Sequence, residues 1–145
     1  MSKQLSNHPI VLVIGDDRNL AERLAAIPNA EGPCQGQSVT CESDAVLLLG
    51  TLHASGVPIR LVIVLHPWMR YHANSPRDDD RTHGAGGRLM KLARKHFPNV
   101  QILCGHFGEE GFPELITKSG GTPIHTHGLE IAMRKALKIY HPLSA

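Results

Sequence analysis

Ile59-Arg60-Leu61-Val62-Ile63-Val64-Leu65-His66-Pro67 is the stretch whose reading decides the fold. Leu61 to Leu65 is an unbroken apolar run, it contains Val62, Ile63 and Val64, and Pro58 and Pro67 bracket it. A run that short and that rich in β-branched residues predicts a strand buried on both faces, not a buried helix segment. A strand covered on both faces needs helices on both sides, which predicts a parallel α/β sheet. Ligands of open parallel sheets sit outside the carboxyl ends of the strands. The residue at that end is His66.

The same signature recurs on either side. Ile10 to Ile14 is a second apolar run and predicts the first strand, which stops at Gly15-Asp16-Asp17. Leu20, Leu24 and Ile27 have helical spacing, so residues 19–27 predict a helix capped by Asp17 and ended by Pro28. Residues 37–41 alternate weakly and predict an edge strand. Residues 45–54 predict a helix capped by Ser43 or Asp44 and stopped at Gly56. After the central strand comes a long polar segment, residues 70–87, with Asp78, Asp79 and Asp80 and a glycine-rich end. Residues 88–96 predict a helix ended by Pro98, residues 100–104 a fourth strand leading into Gly105-His106, and residues 111–118 a short helix. Residues 122–126 predict a short fifth strand, and residues 129–140 an amphipathic last helix with Leu129, Met133, Leu137 and Tyr140 in phase. Strands and helices thus alternate, five of each. Right-handed crossovers turn that alternation into a three-layer αβα sandwich with a five-stranded parallel sheet. The expected order is the flavodoxin-like 2-1-3-4-5, with its switch point between strands 1 and 3.

Composition bounds the function classes. The chain has 145 residues, which predicts one domain with its core over about residues 9–140. Apolar residues make up 41% and the net charge is +2 with histidines neutral, so no basic stripe points to nucleic acid. Arg88, Lys91, Arg94 and Lys95 form only a local cluster. Cys34, Cys41 and Cys104 form no CxxC pair and predict reduced thiols in a cytoplasmic protein. No signal-peptide pattern and no long apolar stretch predicts secretion or a membrane span. The ten histidines are the oddity, because groups of that type titrate near neutral pH.

In the expected register one rim collects Asp16 and Asp17 from strand 1, His66 from strand 3, Cys104 and His106 from strand 4, and His125 or His127 from strand 5. Adjacent carboxylates such as Asp16 and Asp17 favour a shared divalent cation. Imidazoles favour zinc, copper or nickel over magnesium.

With these residues in order, the chain resembles the receiver domain of two-component response regulators over residues 9–140. The carriers are the acidic pair after strand 1, the central apolar strand, Cys104-Gly-His-Phe-Gly-Glu-Glu110 after strand 4, and a fifth strand before the final helix. The resemblance implies magnesium at Asp16 and Asp17 and a phosphoryl-accepting aspartate at the end of strand 3, where this chain has His66. It implies a hydroxyl residue where Cys104 stands, and a lysine where His125 or His127 stands. An imidazole neither forms an acyl phosphate nor adds a magnesium-binding carboxylate. The expectation is therefore an atypical receiver that keeps the scaffold, lacks aspartate phosphorylation, requires no cofactor and works by protein contact. In receivers the face of helix 4, strand 5 and helix 5 commonly carries that contact, and a homodimer through the last helix is expected here. No DNA-binding segment follows, so output is expected from a partner chain.

Two other classes compete. Convergence of His66, His106 and His125 or His127 would make a zinc site or metalloenzyme. The same switch-point crevice would also suit a small-molecule-binding flavodoxin-like domain. Plainer readings stand beside the sharp ones: His66 as a strand-end residue bonding its own loop, Asp17 as a helix cap, and Cys104 as a small buried hydrophobe. Asp78, Asp79 and Asp80 read as a solvated charge run before they read as displaced acceptors. The glycine run 84–87 reads as a flexible loop before it reads as an anion cradle.

Overall fold

The structure, a computed structural model, describes residues 8–31, 34–70, 72 and 84–139. Its strands are β1 (Ile10–Ile14), β2 (Gln35–Val39), β3 (Ile59–Val64), β4 (Gln101–His106) and β5 (Thr122–His125). Its helices are α1 (Arg18–Glu31), α2 (Glu42–Ala54), α3 (Ala85–His96), α4 (Phe112–Lys118) and α5 (Leu129–Leu137), with a 3-10 turn at Thr126–Gly128 before α5. All strands are parallel in the order β2-β1-β3-β4-β5, as the alternation predicts.

β3 is the centre. Leu61, Ile63 and Leu65 face one apolar layer with α1 and α5, while Val62 and Val64 face the other with α2, α3 and Ile116 of α4. Each is nearly or wholly excluded from solvent. Burying a side chain of this size contributes roughly 1.5–3 kcal/mol, so two full layers hang on one six-residue strand. This explains why the stretch is apolar without alternation.

The element boundaries differ from the sequence expectations where tertiary contacts override local signals. Pro28 does not end α1, which runs on to Glu31 with Pro28 inside it and buried. Beside it, Asn29 donates Nδ2 to the carbonyls of Ala25 and Gly36, and its Oδ1 accepts from the Gly36 N–H. That side chain ties the helix end to β2, and a Cβ at Gly36 would collide with the Ala25 carbonyl. β2 begins at Gln35, two residues before the expected strand, in register with β1. α2 starts at Glu42 with no side-chain cap, so neither Ser43 nor Asp44 caps it. Its first N–H is taken by the Arg70 carbonyl at 2.8 Å, and the buried Glu42 carboxylate accepts two hydrogen bonds from Arg88 at 2.7 Å each. α3 starts at Ala85, inside the stretch expected to be loop. Gly86 donates its N–H to the Pro67 carbonyl at 2.9 Å, and a Cβ there would lie 2.5 Å from Pro67 Cα. Gly86 thus packs against the end of β3, while Gly87 lies against Ser119. Asp78, Asp79, Asp80 and Tyr140 lie outside the described residues. No helix among the described residues is long and apolar enough to cross a membrane.

Candidate functional site at the carboxyl edge of the sheet

β1 and β3 stay paired to their carboxyl ends, and a cavity of about 230 Å³ opens just beyond them, at the switch point. Gly15, Asp16, Asp17 and Leu20 line it from the β1–α1 side, and Leu65, His66 and Trp68 from the end of β3. Phe107 and Glu109 of the β4–α4 loop and Thr126 after β5 complete the wall. Gly15 makes room for this arrangement, because a Cβ there would lie 2.6 Å from the Leu65 side chain.

His66 is mostly buried, with 14% of its side chain exposed. Its Nδ1 accepts the Trp68 N–H at 3.0 Å. A neutral ring that accepts at Nδ1 carries its proton on Nε2. Nε2 therefore donates to Glu109 Oε2, at 2.6 Å. The other carboxylate oxygen, Oε1, accepts the Phe107 N–H, also at 2.6 Å. The ring stacks near Phe107 at 5.6 Å and meets the edge of Phe112 at 4.9 Å. Partial burial works against ionisation of Glu109. Hydrogen bonds from its own backbone, His66 and Phe107 outweigh it and hold the carboxyl below the usual range. The plain reading of His66 as a residue bonding its own loop is correct for Nδ1, and Nε2 adds a bond across the site.

His106 and His125 repeat the local device. His106 Nδ1 accepts the Gly108 N–H at 2.9 Å, and His125 Nδ1 accepts the His127 N–H at 3.3 Å. Three successive strand ends thus finish in a histidine that closes its own turn, as an Asx side chain would. The strand 5 register pairs His106 with His125 and leaves His125 exposed. Neither His125 nor His127 lines the cavity. They cluster around Phe107 instead, at 6.1 and 5.9 Å. The residue in the wall is Thr126, whose hydroxyl donates towards the His106 and Leu65 carbonyls.

Cys104 is not on the rim. It lies in the apolar layer with Val64 and is fully buried. Burial pushes its thiol far above the usual range, which suits a small hydrophobe and not a nucleophile.

The donor set does not suit a metal. Among the described residues no group of three or more His, Cys, Asp and Glu side chains could hold an ion. The expected zinc convergence fails for a visible reason: His66 is engaged at both nitrogens, and His106 and His125 turn Nδ1 to their own backbones. Asp16 and Asp17 do share the cavity wall, and Asp17 Oδ1 accepts the Leu20 N–H at the start of α1.

Sequence reasoning missed Glu109, Thr126, Trp68 and Phe107. Glu109 had one available signal: it is an acid between two glycines, in the loop that follows a strand neighbouring β3.

No family model and no curated protein matches the sequence. Solved structures do match the fold. A response regulator receiver protein from Sinorhizobium medicae is 15% identical with a TM-score of 0.60, covering 90% of this chain and 92% of that one. The chemotaxis response regulator CheY4 of Vibrio cholerae is 14% identical with a TM-score of 0.58, covering 90% and 100%. A pilus assembly-related protein from Burkholderia pseudomallei is 13% identical with a TM-score of 0.56, covering 93% and 92%. The chain therefore has the fold of response-regulator receiver domains, with His66 and Glu109 joined at the carboxyl edge of the sheet.

Proposed function

We propose that this chain is a receiver-type signalling module that takes up no phosphoryl group on aspartate and acts by protein contact. The observation that carries the reading is the state of the β3 end. Residues 59–70 contain no carboxylate. Leu65 is buried, and His66 has Nδ1 on the Trp68 N–H and Nε2 on Glu109. Attack on phosphorus needs a free lone pair in line with the leaving group. Neither ring nitrogen offers one in this arrangement, and the neighbouring positive charge that would steady phosphoryl oxygens is absent from residues 122–129. Contact through α4, β5 and α5 is the proposed output, with Ile131 of α5 as the exposed apolar anchor.

Incubation with acetyl phosphate and magnesium tests the reading. The intact mass is expected to stay unchanged. A stable gain of one phosphoryl group that disappears in Asp16→Asn or Asp17→Asn protein would overturn it.

A further inference from the structure

Phe107 to Gly111 form a short loop over the cavity, and its construction is specific. Gly108 has φ of +87° and Gly111 φ of +89°, and a Cβ at either would meet nothing within 4 Å. Both ends of the Glu109-Glu110 segment therefore sit on backbone that only glycine adopts without strain, in open space. Phe107, 54% exposed, lines the cavity beside His66. Among the described residues, the loop's remaining hydrogen bonds are local. Phe107 N–H reaches Glu109, Gly108 N–H reaches His106, and Phe112 N–H reaches the Glu109 carbonyl at 3.3 Å. The bond from His66 to Glu109 is the one that crosses to another strand end.

We propose that the His66–Glu109 hydrogen bond is a latch that holds the Phe107–Gly111 loop shut over the switch-point cavity, with Gly108 and Gly111 as its hinges. The proposal deepens the signalling reading, because it rests on that edge being the regulated site, and supplies a device that needs no phosphoryl group. Closing the latch joins β3 to the β4–α4 loop and to Trp68, whose N–H is held by the same ring. Opening it removes Phe107 from the cavity wall that it shares with Trp68, the single tryptophan of the chain, which is 36% exposed with the loop in place.

That tryptophan is the reporter. Wild type, Glu109→Ala, Glu109→Gln and the control Glu110→Ala are compared by acrylamide quenching and by amide hydrogen exchange of the full chain. In Glu109→Ala, exchange over residues 107–112 is expected to rise roughly fivefold to tenfold, since a hydrogen bond to a charged, partly exposed group is lost. Tryptophan quenching is expected to rise with it, while peptides from β1 and β3 keep their protection. Glu109→Gln is expected to fall between Glu109→Ala and wild type, and Glu110→Ala to match wild type. Unchanged exchange and quenching in Glu109→Ala overturn the latch. So does a rise spread equally over β1 and β3, which marks general loss of stability and not a hinged loop. The acetyl phosphate experiment on wild type reads the signalling proposal separately, so either can fail alone.

Discussion

Glu109 is the carboxyl whose ionisation the fold favours. Partial burial opposes its charge, but hydrogen bonds from its own backbone, His66 and Phe107 lower its pKa in the folded chain. A carboxyl depressed by folding contributes stability above its unfolded pKa and loses it as pH falls through the folded value. The difference in melting temperature between wild type and Glu109→Gln is therefore expected at pH 7 and expected to shrink as pH drops below about 4.3, the ordinary glutamate value. A difference that stays constant down to strong acid would show that the carboxylate charge is irrelevant to the fold. Legibility at this scale was uneven. His66 was readable because it ends an unmistakable apolar run. Glu109 was not, because Glu109 and Glu110 are equivalent in sequence and only the turn between two positive-φ glycines sends one of them inward. Thr126 was hidden because β5 ends at His125 and the chain tightens there into a 3-10 turn that buries Thr126.

The elements divide along the same line. Strands were legible because a buried parallel strand announces itself by composition, and β1, β3 and β4 are apolar through most of their length. Helix starts were not, because α2 and α3 take their first contacts from distant residues: Arg70 and Arg88 for Glu42, and Pro67 for Gly86. Glycines carry this distinction into experiment. Gly105 lies within β4, and a Cβ there would strike the Leu65 carbonyl and come within 2.7 Å of Thr126 Oγ1 and 3.0 Å of Leu129. Backbone cannot retreat as a side chain tip can, so Gly105→Ala is expected to destabilise by about 1–3 kcal/mol. Gly50 sits inside α2 with nothing within 4 Å of its Cβ position. Gly50→Ala is expected to stabilise by about 0.5–1 kcal/mol, through reduced freedom of the unfolded chain and better helix propensity. Urea unfolding of the two variants should move the midpoint in opposite directions; movement in the same direction would contradict the packing described for β4.

On the scale of the whole molecule, one sheet is shared by two apolar layers, and the outer surfaces of those layers face solvent. The layer with α1 and α5 exposes Ile131 at 73%, and the layer with α2, α3 and α4 exposes Leu47 at 71% and Val46 at 44%. Exposure alone does not choose between them, since scattered apolar residues are ordinary on protein surfaces. The surroundings of Ile131 do favour α5. Arg134, one turn on, is neutralised by Glu31 of α1 at 3.1 and 3.0 Å and by Glu130 at 3.3 Å, which leaves exposed Lys135 as the cation beside Ile131. Two copies related by a two-fold axis would bring the same helix against itself without opposing free cations at Arg134. The expected outcome in sedimentation velocity is a concentration-dependent dimer. Ile131→Lys is expected to shift it to monomer while leaving the melting temperature of dilute protein within about 1 °C, because an exposed side chain contributes little to the fold. Leu47→Lys, equally exposed on the opposite layer, is expected to leave the dimer intact. Loss of association in Leu47→Lys and not in Ile131→Lys would move the contact to α2, and a wild-type chain that stays monomeric at high micromolar concentration would remove self-association from the proposed function altogether.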